Sequence, residues 1–209
     1  DIKVTNLTQG IYFTPLLVTA HTPTASLYHV GMAASTDLQK MAEGGDISGL
    51  STTVDAINGY KVENPAGGLL APGASTEVMG FMTQDENTDL SIVSMLLPTN
   101  DGFVGLSNWK IPSQAGTYTV MLNGYDAGTE ANDEIINGGG ALGAPGIPVD
   151  PSGNQGSGVM GVTAEETTKV VHIHRGNLGD DDASGGKSDL NNTIHRWLNP
   201  VAKVTITVK

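Results

Sequence analysis

The chain has 209 residues, 38% of them hydrophobic, with 28 glycines and no cysteine; 22 acidic residues against 10 basic ones give a formal charge of −12. This length suits one all-β domain with a substantial core, and the acidic balance argues against nucleic acid and anionic membrane, which both reward clustered positive charge. Without thiols there can be no disulfide, thiolate zinc site, iron–sulfur cluster or cysteine nucleophile, and no stretch approaches the roughly 18 apolar residues of a membrane-spanning helix. Residues 2–8 alternate in character and predict a strand, resumed at 11–14 after the Gln9-Gly10 turn and again at 15–21. The chain thus opens at Asp1 directly into strand-like sequence, as a mature exported chain without its leader would. Residues 37–43 predict a short helix stopped by Gly44-Gly45, and Ile47, Leu50, Val54 and Ile57 recur at helical spacing. Strands follow at 77–83 and at 90–97, the latter a nearly continuous apolar run suited to a central core strand. Residues 103–106 or 109–111 supply a return strand, and 117–122 alternate strictly. Residues 137–161 are rich in glycine and proline and read as a long surface loop. A strand at 169–174, a helical turn at 190–197 and a closing strand at 201–208 complete the chain. Strands throughout, few helices and no internal repeat indicate a single all-β domain over residues 1–209, an antiparallel β-sandwich or barrel with a few short helices in its connections.

Two loops carry the chemistry. Asn100-Asp101-Gly102 follows the central strand, and Tyr125-Asp126-Ala127-Gly128-Thr129-Glu130 follows the strand at 117–122. If the central strand runs upward, one return and one further ascent bring Asp101 and Asp126 out at the same end of the sandwich. Glu130 comes four residues later, past a glycine that lets the loop curl back. Hard cations take six to eight oxygens from flexible loops, so this trio is a candidate calcium site. Turn chemistry alone accounts for each residue separately, since Asp before Gly is common in turns.

Pro98-Thr99-Asn100-Asp101-Gly102-Phe103-Val104-Gly105 resembles the Pro-Ser-Pro-Asp-Trp-Phe-Val-Gly signature of the spondin domain, and Tyr125 through Glu130 resembles that family's Tyr-Asp-Ala-Gly-Thr-Asp. Further phrases in the right order extend the likeness over most of the chain. These are Val4-Thr5-Asn6-Leu7-Thr8, Thr14-Pro15 leading to His21, Met41-Ala42-Glu43-Gly44-Gly45-Asp46, Ser91-Ile92-Val93-Ser94-Met95-Leu96 and Pro200-Val201-Ala202-Lys203-Val204-Thr205. The resemblance implies the antiparallel sandwich of F-spondin and mindin with a calcium ion at one end. Its aspartate ligands map onto Asp101, Asp126 and, with Glu replacing Asp, Glu130. A further acidic ligand of the family lies upstream of the central strand, and Glu77 is the nearest counterpart. The implied protein is a secreted, periplasmic or cell-surface module without enzymatic activity, used for adhesion or interaction with an extracellular protein or glycan. Gly102 stands where the signature has tryptophan, the cysteines of animal spondin domains are absent, no thrombospondin-type repeats accompany the domain, and the 137–161 insert has no counterpart. The chain is in these respects similar to a bacterial, stand-alone relative.

Other candidates are weaker. His172 and His174 flank Ile173 on one strand and share a face; with His195 or His21 they could hold zinc or copper in a metal-dependent enzyme. Hydrogen bonding between strands is the commoner role, and Arg175 beside them disfavours a cation. Asp180, Asp182, Ser184 and Gly185 fit the first, third, fifth and sixth positions of an EF-hand loop, but Asn191 stands where a bidentate glutamate belongs. Gly153-Asn154-Gln155-Gly156-Ser157-Gly158 lacks the spacing of a nucleophile elbow, and there is no phosphate-cradling or dinucleotide motif. A purely structural piece of an envelope or matrix assembly is the remaining alternative; it calls for a large exposed apolar patch or an unpaired edge strand.

Overall fold

The computed structural model describes residues 1–83, 86–156, 160–163, 165, 167–182 and 186–209. It is an all-β fold, as the sequence predicts. Its strands are β1 (Ile2–Asn6), β2 (Tyr12–Phe13), β3 (Leu17–His21), β4 (Tyr60–Glu63), β5 (Ser75–Val78), β6 (Asp89–Leu97), β7 (Gly102–Lys110), β8 (Gly116–Asp126), β9 (His172–Ile173) and β10 (Ala202–Val208), with helices α1 (Thr36–Gly44) and α2 (Ser48–Ala56) between β3 and β4. Every named pairing is antiparallel, in the order β4-β3-β6-β7-β8-β10-β1-β5. The short β2 extends the β3 side of β6, pairing Tyr12 with Leu97, and β9 extends the β10 side of β8, pairing Asp126 with His172.

The sheet folds on itself at β8. Residues 116–122 of that strand pair with β10, whereas residues 123–126 pair with β7, so one long strand belongs to both layers. Between the layers lies a core of Val4, Val18, Leu90, Ile92, Leu96, Val104, Leu122 and Val204. The other face of β6 carries Val93, Met95 and Leu97, packed beneath Leu38, Met41 and Ala42 of α1 and Leu50 and Val54 of α2. Because strand side chains alternate, a strand covered on both faces must be apolar at both parities. That is why all nine residues of β6 are buried.

The helix boundaries follow from capping. Ser35 Oγ accepts from Leu38 N–H to open α1, and Gly45, left-handed at φ 72°, closes it with its N–H on Met41 O. Elsewhere the structure departs from the sequence pattern. The strand expected at 77–83 is β5 at Ser75–Val78, where burial alternates until Gly80 turns left-handed at φ 65°. Of the strand expected at 169–174 only His172–Ile173 pairs with β8, because Val171 N–H is taken by Met32 O. The turn expected at 190–197 is a single one, from His195 N–H to Asn191 O. The insert is not all surface, since Ile147 and Asp150 are buried within it. Among the described residues no helix is long and apolar enough to cross a membrane.

Candidate functional site

The register of β7 on β8 brings the two aspartates together. Gly102 stands opposite Asp126, and Ala127 N–H donates to Asp101 O at 3.2 Å, so Asp101 and Asp126 sit side by side at one end of the sandwich. The turn before Gly102 is tied by Thr99, whose Oγ1 accepts from Gly102 N–H at 3.0 Å. A Cβ on Gly102 would approach that same hydroxyl to 2.7 Å and His174 to 3.2 Å; the tryptophan of the family signature has no room there. After Asp126 the chain reverses through Gly128 at φ 70°, whose N–H caps Asp126 Oδ1 at 2.8 Å. The reversal points the N–H groups of Thr129 and Glu130 at Asp101 Oδ2, at 2.8 and 3.2 Å, and the Thr129 hydroxyl adds a third bond at 3.1 Å. Asp126 Oδ2 accepts from Asn132 Nδ2 at 2.6 Å.

These carboxylates are shut away from water. Asp101 is 0% exposed, Asp126 1% and Glu130 7%. Burial penalises the charged form, and together with the neighbouring Asp126 it pushes Asp101 up to about 7 against the pull of the Thr129 and Glu130 N–H groups. Burial likewise raises Glu130 to about 8; Glu43 and Asp101 add to the rise, while Gly146 N–H and Asn100 oppose it. Asp101 Oδ1 is buried without a hydrogen-bond partner. No lysine or arginine forms an ion pair with Asp101, Glu130 or Glu43 among the described residues. Buried polar atoms are normally satisfied and buried charges normally paired; the Arg175 guanidinium is held nearby on Asn132 O at 3.0 Å.

Glu43 is a further candidate residue that the sequence did not single out. It is 1% exposed in the last turn of α1, bonded to Gln39 Nε2 at 2.8 Å, and its charge is felt at Glu130. A carboxylate there faces the negative end of the helix dipole, and that turn has no basic residue to offset it. Its only signal was the phrase Met41-Ala42-Glu43-Gly44-Gly45-Asp46, whose acid carried no assigned role. Glu77, in contrast, is not brought to the cluster. It lies on edge strand β5, half exposed, paired with Lys3 Nζ at 2.9 Å. Oxygen-only donors, one with a free buried oxygen, are a set that accommodates a hard cation better than zinc. Among the described residues no three Asp, Glu or His side chains are gathered closely enough to clasp an ion as they stand.

The histidines go to separate tasks. His21 donates from Nδ1 to Thr22 O and meets Ser91 Oγ with Nε2. His195 accepts Asn191 N–H on Nδ1, and its Nε2 lies 3.3 Å from Asp150 Oδ2. His174 is buried against the Trp197 ring at 5.0 Å and accepts Gly176 N–H on Nδ1; burial first, then Arg175 and His172, lowers it to about 3. His172 is half exposed, with Nδ1 on Val170 O and Nε2 3.8 Å from Asp126 Oδ2. Thus His172 and His174 differ in environment and do not converge on a common centre, though His172 does flank the carboxylates. In the acidic loop, Asp180 caps Asp182 and Ser188 N–H groups; Ser184 and Gly185 lie outside the described residues, as do Ser157 and Gly158.

No curated protein matches the chain. The Spondin_N family profile matches residues 5–134, well over half of the chain. The matched span runs from within β1 through the Glu130 loop and so contains Glu43, Asp101, Asp126 and Glu130. The chain therefore belongs to the spondin-domain family.

Proposed function

We propose that this spondin domain is a calcium-binding interaction module of the extracellular type, in which Asp101, Asp126, Glu130 and Glu43 hold the ion. The observation that carries this reading is the burial of Asp101 beside Asp126 and Glu130, with Asp101 Oδ1 left without a hydrogen-bond partner. Calcium would neutralise charges that otherwise face one another in a dry interior, and its tolerance of irregular oxygen shells suits ligands drawn from a helix end and two loops. The protein's own contribution is positioning: the β7–β8 register holds the aspartates, and the Thr129 and Glu130 N–H groups fix the Asp101 carboxylate. The family is one of non-enzymatic modules, and the separate environments of His21, His172, His174 and His195 favour an interaction module over a histidine-based metal-dependent enzyme. Its partner is an extracellular protein or glycan, reached after export.

The test is thermal unfolding of chelator-stripped protein with and without calcium. Binding to the folded state alone stabilises by about 2.7 kcal/mol at a hundredfold excess over the dissociation constant. The expected result is a rise with calcium that disappears in Asp126→Ala. An unchanged midpoint in the wild type after confirmed stripping would return the cluster to turn chemistry.

A further inference from the structure

Residues 135–171, between the end of the family-matched span and β9, include a stretch that packs against the Glu130 carboxylate and the end of α1. Two isoleucines anchor it. Ile136 and Ile147 are buried in the same core as Met41 and Ala42 of α1, and Ile147 N–H bonds to Ile135 O at 2.8 Å. Between those anchors the chain folds back on itself, with Gly140 N–H on Ala144 O at 3.0 Å. One side then meets the Glu130 carboxylate and the other the main chain at the end of α1. Gly146 donates its N–H to Glu130 Oε2 at 2.9 Å, in a buried bond. Gly140 lies directly on the end of α1, where a Cβ would come within 2.7 Å of Glu43 O, and a Cβ on Gly44 would collide with Gly140 O. Gly140 at φ 87° and Gly146 at φ 118° both adopt backbone that L side chains avoid. The Gly140–Gly44 contact is a close apposition of backbones with no room for a side chain between them.

We propose that residues 136–148 are a lid that seals the cation site from solvent, so that the ion is held permanently inside the fold and offers no coordination position to a partner. This inference rests on the calcium reading above. Its physical content is that cation and lid stabilise each other. An ion shared by Glu43 and Glu130 fixes both surfaces on which the lid is seated, and the seated lid keeps water from competing for the ion. Partners would then engage another face of the domain, and calcium would act on them only through the integrity of the fold.

Terbium luminescence and calcium dissociation test this on the intact chain. The lifetime of bound Tb³⁺ in H2O and D2O counts the waters in its inner shell, out of the six to eight ligands typical of such sites. The wild type should retain about one water or none. Gly44→Ala, which wedges Gly140 away from α1 without touching a carboxylate, should admit at least one more. It should also release calcium about tenfold faster into excess chelator, the scale of one charge-assisted hydrogen bond. Hydrogen exchange of the unmodified protein supplies a reading independent of any substitution: amides of residues 136–148 should gain protection when calcium is added. Terbium bound with several waters, or exchange in the lid indifferent to calcium, overturns the lid while leaving the metal site standing. No binding of either ion overturns both.

Discussion

Asp101 concentrates the chemistry of the site in one side chain: three donors crowd Oδ2 while Oδ1 has none. Its folded-state value near 7 lies above the ordinary carboxylate value, so the folded state binds the proton more tightly than the unfolded one. The associated stability is fully present below about pH 4 and is lost as pH rises through 7. In Asp101→Asn the amide oxygen can keep the Thr129 and Glu130 donors while the charge is gone. Without cation, this variant should gain on the wild type as pH rises from 4 to 8, melting higher at pH 8, and should show no calcium response; a variant less stable at every pH would contradict the charge argument. His174 has the opposite sign. Lowered to about 3, it withdraws stability as pH falls below its ordinary value of about 6.5. His174→Phe should cost about 1–3 kcal/mol at pH 7 by orphaning Gly176 N–H, and urea titrations should show that deficit shrinking toward pH 4. The aspartates could be read from the sequence because each sits in a glycine-bearing turn after an apolar strand. Glu43 could not, because nothing local distinguishes a buried helix-end glutamate from an exposed one, and Glu77 has only its place as the nearest acidic counterpart, upstream of β6, of a ligand that the family resemblance implies.

At the level of elements, β6 was legible because burial on both faces makes its apolar run continuous, and α1 because its Gly44-Gly45 stop is written in the chain. β4 was missed since Tyr60–Glu63 is an edge strand with no buried residue to set a period. β8 was read only as far as Leu122, where strict alternation ends; its last four residues change partner from β10 to β7. Next to the change of partner stands Gly124, where Trp197 and Leu96 press against the bare backbone and a Cβ would lie 2.6 Å from the indole ring. Gly124 also takes Asn199 Oδ1 on its N–H at 2.7 Å and His174 N–H on its carbonyl at 3.1 Å. Gly124→Ala should therefore overpack the joint between the layers and cost about 1–3 kcal/mol. Equilibrium urea unfolding measures it, and a loss below 0.5 kcal/mol, the usual range for surface changes, would mean that Trp197 can move aside freely.

For the whole molecule, the acidic composition and the buried cluster act on the same equilibrium. A chain with formal charge −12 repels itself when compact, and the raised Asp101 and Glu130 make the stripped protein bind protons on folding at neutral pH. Both effects lower stability as pH rises from 4 to 8. A cation at the cluster reverses the second, because it binds the deprotonated carboxylates and displaces their protons. Two linked results should follow. The midpoint of the stripped protein should fall between pH 5 and pH 8, and saturating calcium should flatten that fall. Calcium uptake near pH 6.5 should also release protons, visible as a binding enthalpy that changes between two buffers of different ionisation enthalpy at the same pH. Magnesium, which demands a tighter octahedral shell and gives up its waters reluctantly, should flatten the profile less at equal concentration. Calcium that binds with no proton release would place it on exposed carboxylates already ionised at that pH, away from Asp101 and Glu130.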